Sequence, residues 1–409
     1  MTPLEPAAAP KDEAASRRML IQFALMAGVL WLALIGINGL AWHLSLKPEN
    51  QAIVQFQGGW DRIIKPVAAD SLQPEIAIFG ASWARDMFDP DTIGAISGKR
   101  VFNHAVTGGT PWEARRFAES LLASDPALEL AILNADSFSQ ELDAPKFNPP
   151  FNPAILNTLD DGAPNPDVRA ARLSGLLLSG SSLGYAAGIG AKLFRRDVMG
   201  EPKQALIASY SRADYTSRRN ELAAAKDHFL ETGGPLAAPG GKMRQKNAPS
   251  ADFAGTVQAF CARKVDVTAY FTPHHVTRVH CDAKGDAARR TRSLMLELKA
   301  TCAARLALYD FGYPNAITLE GITEPVSSSW FYRPDGHPRP VLGDLLFSLM
   351  SGNLAVAAPL GLDDRAASDL LAMSEADFEA WNTEKSARCS AQWTPEARSL
   401  LMSGKLPNG

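Results

Sequence analysis

The longest apolar run of the chain lies near its start and predicts a helix that crosses a membrane. Residues 19–46 are mostly apolar, and residues 20–42 carry no charge. A helix needs only ~20 apolar residues to span a bilayer, so the run is long enough. Lys11, Arg17 and Arg18 precede it, and the positive-inside rule therefore places the N-terminus in the cytoplasm.

A cleaved signal peptide is the alternative interpretation of this run. The run is longer than the apolar region of a typical signal peptide, and no small-x-small cleavage site follows it directly. We therefore expect an uncleaved signal-anchor at residues 19–46. Residues 1–18 are rich in Ala and Pro near their start and are expected to form a disordered cytoplasmic tail.

After the anchor, short apolar runs alternate with segments of helical pattern, which is typical of parallel βαβ units. The expected strands are 76–79, 101–106, 128–133, 265–271 and 308–311. The expected helices include 111–122, 251–263, 285–306 and 341–350. The predicted fold class is α/β, a three-layer sandwich with a mainly parallel central sheet, preceded by a single transmembrane helix.

The regular alternation is interrupted between residues 145 and 250. Pro, Asn and Gly cluster at the start of this stretch, and Ser and Gly break an apolar run at 174–190 that would otherwise resemble a second span. We interpret 47–360 as one extracytoplasmic domain with a helix-containing insertion at about 145–250, which would be a lid or a partner surface. A charged helix is expected at 218–232 and a flexible loop at 233–250. Residues 361–409 are expected to form a helical tail.

The charge balance argues against a polyanionic partner. The chain has 41 Lys and Arg against 44 Asp and Glu among its 409 residues, so it carries no strong field that would attract nucleic acid. Only one stretch is long and apolar enough to span a bilayer, which excludes a polytopic membrane protein.

The four cysteines, Cys261, Cys281, Cys302 and Cys389, all lie in the part of the chain expected outside the cytoplasm. An even number in an oxidising compartment permits disulfides, and three pairings are possible. Four unpaired buried thiols stay open as well, because a chain of this length can fold without covalent links.

The candidate chemistry begins at Gly80-Ala81-Ser82, directly after the predicted strand 76–79. Open α/β sheets place ligands at the carboxyl ends of their strands, which is where Ser82 is expected. A serine at the start of a following helix has backbone N–H groups beside it that can stabilise an oxyanion. The simpler interpretation is a strand-to-helix turn in which Ser82 is the N-cap.

A nucleophilic serine needs a base, and His337 is the best candidate for it. His337 lies in a turn-rich segment before a predicted helix, and Asp335 stands two residues earlier, where its carboxylate could orient the imidazole. The alternative is a solvated Asp-Gly turn with an incidental histidine.

Three pieces of this sequence resemble the motifs of the SGNH (GDSL-like) hydrolase superfamily. They are Gly80-Ala81-Ser82, then Asn103 with Gly108-Gly109, and finally Asp335-Gly336-His337 followed by Arg339 and Gly343. The nearest branch is similar to the membrane-anchored, extracytoplasmic proteins of polysaccharide O-acetylation and teichoic-acid D-alanylation. The resemblance covers residues 72–140 and 262–350.

The resemblance implies a role for each matching residue. Ser82 would be the nucleophile, His337 the general base and Asp335 its orienter, while Ser82, Gly109 and Asn134 would form the oxyanion hole. Two blocks depart from the family pattern. The final block is D-x-H rather than D-x-x-H, and the third block reads Asn134-Ala135-Asp136 in place of G-x-N-D.

Four further residues are expected to line the cleft: Asn103, Asp136, His274 and Arg85. His274 and His275, with His280 and Cys281 nearby, could instead indicate a metal site. Adjacent histidines on an extended strand point to opposite faces and make a poor pair of ligands, so neither a metal nor another cofactor is expected.

These features favour an extracytoplasmic serine acyltransferase or esterase that acts on acyl groups, acetyl in particular, of a cell-surface or exported polysaccharide. The resemblance implies a single-pass protein of the bacterial inner membrane with a periplasmic main domain. Its expected partners are that membrane, a polytopic membrane-bound O-acyltransferase and the polysaccharide acceptor. A non-catalytic accessory subunit of a membrane complex is the alternative. Carbohydrate binding without chemistry would require exposed aromatic residues such as Trp83, Trp112, Trp330 and Tyr332.

Overall fold

The structure is a computed structural model, and it describes most of the chain. The described residues are 11–50, 53–54, 60–143, 146–148, 151–201, 225, 227–228, 231, 244–275, 285–313, 315, 317–318, 320, 331–333, 336–356 and 368–391. The predicted helix 218–232 lies largely outside them, as do His280, Cys281, Trp330 and Asp335.

Helices and strands alternate along most of the chain. The helices are α1 (Lys11–Ser45), α2 (Asp61–Leu72), α3 (Ser82–Met87), α4 (Pro90–Ser97), α5 (Pro111–Ser124), α6 (Ala135–Phe138), α7 (Val168–Leu173), α8 (Gly180–Asp197), α9 (Ala251–Ala262), α10 (Gly285–Lys299), α11 (Pro340–Met350) and α12 (Glu375–Ala391). The strands are β1 (Ile76–Phe79), β2 (Val101–Asn103), β3 (Leu130–Asn134), β4 (Gln140–Asp143), β5 (Arg244–Pro249), β6 (Asp266–Phe271) and β7 (Leu306–Asp310). Short 3₁₀ turns occur at Pro48–Asn50, Pro153–Ile155 and Leu354–Val356, and a π-helical turn occurs at Ser174–Leu178.

Five of the strands form one parallel sheet in the order β2-β1-β3-β6-β7. This confirms the predicted α/β class with a parallel central sheet. The chain leaves β1 for β2 on one side and returns to β3 on the other. Such a reversal of direction opens a crevice at the carboxyl ends of the strands, where open α/β sheets bind ligands. The residues that follow β1 and β3 therefore lie at this crevice.

The side chains of the sheet alternate between two hydrophobic clusters, as successive residues of a strand must. Ala77 and Phe79 of β1 belong to one cluster, together with apolar side chains of α2, α5, α9 and α10. Ile76 and Ile78 belong to the other, together with side chains of α3, α4 and α11. Strands buried on both faces explain why β1 reads as a continuous apolar run.

The N-terminal helix α1 is long and apolar enough to cross a membrane, with a candidate span at Ala15–Ser45. Its side chains are mostly exposed up to Ile37, and the C-terminal end of the helix packs against α8 and the π-helical turn. The insertion thus contains a helical segment beside the anchor. Within the run 174–190, Ser179 is extended and separates the π-helical turn from α8, which then continues for 18 residues.

A second, two-stranded sheet corrects the sequence prediction of a loop at 233–250. Residues 244–249 form β5, which pairs antiparallel with β4. The segment Arg-Gln-Lys-Asn-Ala-Pro has no apolar alternation, so its pattern gives no sign of a strand. Pairing with β4 supplies the hydrogen bonds that local propensity does not predict.

The C-terminal ends of α9 and α10 are linked covalently. Cys261 at the end of α9 forms a disulfide with Cys302, which follows α10, and Cys389 in α12 is also disulfide-bonded. Helix α12 is held further by a buried ion pair between Lys385 and Asp310 at the end of β7. The predicted helical tail therefore packs on the edge of the sheet.

His104, just after β2, is a buried histidine, and neither of its ring nitrogens has a hydrogen-bond partner among the described residues. Its ring stacks on Phe79 with centroids 5.0 Å apart and contacts Phe102 and Phe117. Burial, with a smaller contribution from Lys65, lowers the pKa of His104 from 6.5 to about 3. This histidine is neutral in the folded protein and belongs to the core.

We expect His104→Met to make the protein more resistant to acid. Below pH 6.5 the unfolded chain binds a proton at this position whereas the folded chain does not until about pH 3, so stability falls as the pH falls through this window. Linkage puts the loss at about 2 kcal/mol at pH 5, and the variant avoids it. Urea unfolding at pH 7.5 and pH 5 measures the difference. Equal pH dependence in wild type and variant would contradict this account.

Candidate active site

Ser82 is the first residue of α3, and only Gly80 and Ala81 separate it from the end of β1. A Cβ atom at Gly80 would lie 2.3 Å from the Cβ of Ala84, so only glycine permits this tight passage from strand to helix. Ala81 is the N-cap residue and provides no side-chain cap. The hydroxyl of Ser82 is directed instead at His337, with 3.1 Å between Oγ and Nε2.

His337 is presented by a tight turn before α11. The backbone N–H of Arg333 donates to the carbonyl of His337 at 2.8 Å, and Tyr332 and Pro338 form an antiparallel bridge. Gly336 has a φ of 77°, a left-handed conformation that favours glycine. The buried hydroxyl of Tyr332 donates to the carbonyl of Pro273 at 2.8 Å, which ties this turn to the end of β6.

A buried carboxylate connects the helix that carries Ser82 with the turn that carries His337. Asp86 of α3 accepts hydrogen bonds from Arg85, with 2.7 Å between Nε and Oδ1, and from the guanidinium of Arg333. Burial acts to raise the pKa of Asp86, but the charges of Arg85 and Arg333 outweigh it and hold the pKa below its ordinary value. The carboxylate is therefore ionised and links the two elements.

Trp83 separates two histidines in the crevice. Its ring is stacked on that of His337 with centroids 5.3 Å apart. The rings of Trp83 and His274 meet edge to face, with centroids 4.2 Å apart. Nε2 of His274 lies 3.7 Å from Oδ1 of Asp136. His275 faces the other way, is buried, and is paired through Nε2 with the carbonyl of Glu320 at 2.8 Å.

Asn134 is the last residue of β3, and Asp136 lies in α6, the short helix that follows. Nδ2 of Asn134 donates to Oγ1 of Thr272 at 2.8 Å and lies 3.4 Å from Oδ2 of Asp136. The backbone N–H of Thr272 donates to the same carboxylate oxygen. These bonds join the carboxyl ends of β3 and β6 beside the Ser82 turn.

The remaining predicted site residues are held inside the protein. The N–H of Gly109, an expected oxyanion donor, donates to the carbonyl of Val106 at 3.1 Å. Asn103 is buried and donates to the carbonyls of Ala84 and Phe88, at 3.0 and 2.9 Å, which fixes the backbone of α3. Arg85 is buried and binds Asp86 and the hydroxyl of Thr107.

Asp335, the expected orienter of His337, lies outside the described residues. Of the four aromatic residues proposed for carbohydrate binding, Trp112 and Tyr332 are buried, while Trp83 is half-buried at the site. Carbohydrate stacking in the crevice therefore depends on Trp83 among the described residues. Within the described part of the chain, no three His, Cys, Asp or Glu residues converge as a metal site would require.

Asp86 and Arg333 were not among the residues predicted for the site. The sequence contains a weak sign of them, because each is a charged residue beside an expected catalytic block, within four residues of Ser82 or His337. Nothing in the spacing shows that they pair across 247 positions.

This geometry defines a class of site, a serine hydroxyl joined to an imidazole at the carboxyl edge of a parallel α/β sheet. This class is defined by the fold and by these contacts. Comparisons with protein-family models, with curated proteins and with solved structures find no match to the chain.

Proposed function

We propose that the protein is a serine acyltransferase or esterase that acts on acyl groups of a cell-surface or exported polysaccharide. The observation that carries this proposal is the 3.1 Å contact between Oγ of Ser82 and Nε2 of His337. The contact lies at the crevice where such sheets bind ligands. A hydroxyl and an imidazole in this arrangement are the nucleophile and base of acyl transfer.

In the first half of the reaction, Oγ of Ser82 attacks the carbonyl carbon of the donor ester while its proton moves to Nε2 of His337. The tetrahedral oxyanion then collapses, the donor C–O bond breaks, and His337 returns the proton to the leaving alkoxide. Ser82 now carries the acyl group as an ester. In the second half, a polysaccharide hydroxyl or water attacks this ester by the reverse path, with His337 again as base.

The donors that stabilise the oxyanion are backbone N–H groups at the start of α3. The first N–H groups of a helix have no acceptor within it, and those of Ser82 and Trp83 lie beside the nucleophile. Asn134 and Gly109 are hydrogen-bonded within the protein in this structure. Their participation as donors would require these bonds to be exchanged when substrate binds.

The two clusters on either side of the parallel sheet support a three-layer arrangement of the SGNH type, which we include in the proposal. The disulfide between Cys261 and Cys302 supports an oxidising, extracytoplasmic location for the domain. We place α1 in the bacterial inner membrane with its N-terminus in the cytoplasm, next to a polytopic membrane-bound O-acyltransferase that supplies the acyl group.

The covalent intermediate provides the test. Full-length protein is mixed with p-nitrophenyl acetate, quenched in acid, and its intact mass is measured. We expect the mass of one acetyl group on wild type, located at Ser82 by peptide mapping, and none above background on Ser82→Ala. Ser97→Ala is the control, since the hydroxyl of Ser97 lies at the end of α4, where it donates to the carbonyl of Ile93 and accepts from the N–H of Lys99.

Addition of an acetyl-accepting polysaccharide during the same reaction separates transferase from esterase. A transferase moves the acetyl group to the polysaccharide, whereas an esterase releases acetate at a rate that the polysaccharide does not change. Absence of any adduct on Ser82 would contradict the proposal and favour the non-catalytic accessory subunit.

A further inference from the structure

The insertion places an uncharged helical tip beside the end of the proposed membrane span. The tip is defined here as residues 173–183, which comprise the end of α7, the π-helical turn and the start of α8. It lies within residues 173–191, a stretch that contains no charged residue. Arg172 and Lys192 flank this stretch. Such a composition suits an environment poor in water.

The tip is fixed to α1 by a polar contact of its own. Asn38 of α1 is only 2% exposed, and its Nδ2 donates to the carbonyl of Leu177 at 3.0 Å. A Cβ atom on Gly39 would lie 3.8 Å from the side chain of Leu177, so the two segments are in close contact. Farther along, the hydroxyls of Ser45 and Tyr185 are hydrogen-bonded. The tip therefore has a defined level along the span.

That level is the outer edge of the hydrocarbon layer. A helix rises 1.5 Å per residue, so a layer ~30 Å thick takes about 20 residues. Counted from Arg18, the last charged residue before the span, about 20 residues end at Asn38. Leu177, in contact with Asn38, is consequently at the boundary between acyl chains and headgroups.

The tip exposes apolar side chains at this level. Leu173, Leu178 and Leu183 are 58%, 42% and 43% exposed. The hydroxyls of Ser174, Ser179 and Ser182 are satisfied within the tip and α7, as burial in lipid requires. Ser179 and Ser182 donate to the carbonyl of Gly175, at 2.7 and 2.8 Å, and Ser174 donates to the carbonyl of Ala171 at 3.1 Å.

We propose that the tip inserts into the lipid leaflet reached by the C-terminal end of α1 and forms a second membrane contact of the chain. The occupant of its exposed apolar surface is lipid. The position of the tip beside the span, its lack of charge and the internally paired hydroxyls of Ser174, Ser179 and Ser182 all favour acyl chains over water. Because the tip is part of the chain that follows α1, this second contact also restricts rotation of the domain about the anchor. The proposal rests on the membrane anchorage proposed above and is independent of the chemistry at Ser82.

The depth of the tip can be measured in vesicles that contain only this protein. Leu178→Cys in the full chain is labelled with a nitrobenzoxadiazole fluorophore and reconstituted into phosphatidylcholine and phosphatidylglycerol vesicles. The described native cysteines are disulfide-bonded and leave the new thiol as the target. Leu25→Cys, exposed in the middle of α1, marks the hydrocarbon, and Ile96→Cys, exposed at the end of α4, marks the water-facing domain.

We expect lipids with a spin label on the acyl chain to quench the Leu178 label at least about twofold more than the Ile96 label, as an interfacial position requires. Aqueous iodide should quench the two labels in the opposite order. Quenching at Leu178 by iodide to the same extent as at Ile96 would overturn the proposal. Protection from both quenchers would also overturn it, since a second copy of the chain would then cover the tip.

The Leu25 label distinguishes a failure of the tip proposal from a failure of the membrane anchor. Lipid quenching at Leu25 without lipid quenching at Leu178 removes the tip proposal and leaves the anchor intact. Absence of lipid quenching at both positions removes the anchor as well. Neither outcome bears on the acetyl adduct at Ser82.

Discussion

Replacing His337 with alanine is expected to reduce the release of p-nitrophenol from p-nitrophenyl acetate by roughly 10³-fold or more. The Ser82 hydroxyl is a weak nucleophile unless a base removes its proton, and Nε2 of His337 is 3.1 Å from Oγ. Ser82→Ala is expected to give a loss of similar size. Steady-state rates measured on full-length protein in detergent, with equal amounts of folded protein by circular dichroism, provide the comparison.

The double variant is the sharper experiment. A nucleophile and its base act as one unit, so the Ser82→Ala and His337→Ala losses should not multiply, and the double variant should be about as slow as either single one. His43→Ala, at an exposed histidine near the end of α1, should keep the wild-type rate. Losses that multiply in the double variant would show that Ser82 and His337 act independently, contrary to the proposed mechanism.

The sequence predicts the sheet well because its strands are buried on both faces. Short apolar runs bounded by turn residues identify β1, β3, β6 and β7 within a few residues. The predicted strand 101–106 is regular only as far as Asn103, whose side chain accepts a hydrogen bond from the N–H of Ala105. The N–H groups of His104 and Val106 still donate to the carbonyls of Ile78 and Gly80, so the segment continues beside β1 after the regular strand ends.

The elements that the sequence does not locate are formed through contacts with segments distant along the chain. Helix α8 contains several glycines and would be a poor helix alone, but one side of it packs on α1, where the hydroxyls of Tyr185 and Ser45 are hydrogen-bonded. The strand β5 forms only because β4 pairs with it. Local propensity does not contain this information.

In the candidate site too, the sequence predicts some residues but not the contacts between distant segments. Chain order and turn residues are enough to propose Ser82 and His337, which stand 255 positions apart and meet in the structure. The tie between Asp86 and Arg333 has no pattern that could predict it, since charged residues in a helix and in a turn are ordinarily solvated. Burial of the Asp86 carboxylate beside two guanidinium groups emerges only when the sheet has brought α3 and the 331–339 turn together.

Gly343→Ala is expected to destabilise the protein by roughly 3 kcal/mol or more, at the upper end of overpacking effects. Gly343 lies in α11, the helix that follows His337. A Cβ atom there would stand 2.1 Å from the carbonyl oxygen of Met87 and 2.7 Å from its carbonyl carbon. Both are backbone atoms at the end of α3, so no side chain can rotate to relieve the contact. Either α11 moves away from α3 or the end of α3 is distorted.

Gly190→Ala is the matched control for the steric argument. Gly190 is also in the interior of a helix, α8, but a Cβ atom there meets nothing within 4 Å. Alanine is the better helix former by about 1 kcal/mol, so this variant should be as stable as wild type or more so. Urea unfolding of both variants measures the contrast. Because α3 begins with Ser82 and α11 follows His337, Gly343→Ala should also slow acetyl transfer to Ser82 under conditions in which the variant is still folded. Wild-type stability in Gly343→Ala would show that α11 does not pack on α3 at this distance, and the 3.1 Å contact that the packing supports would then need another cause.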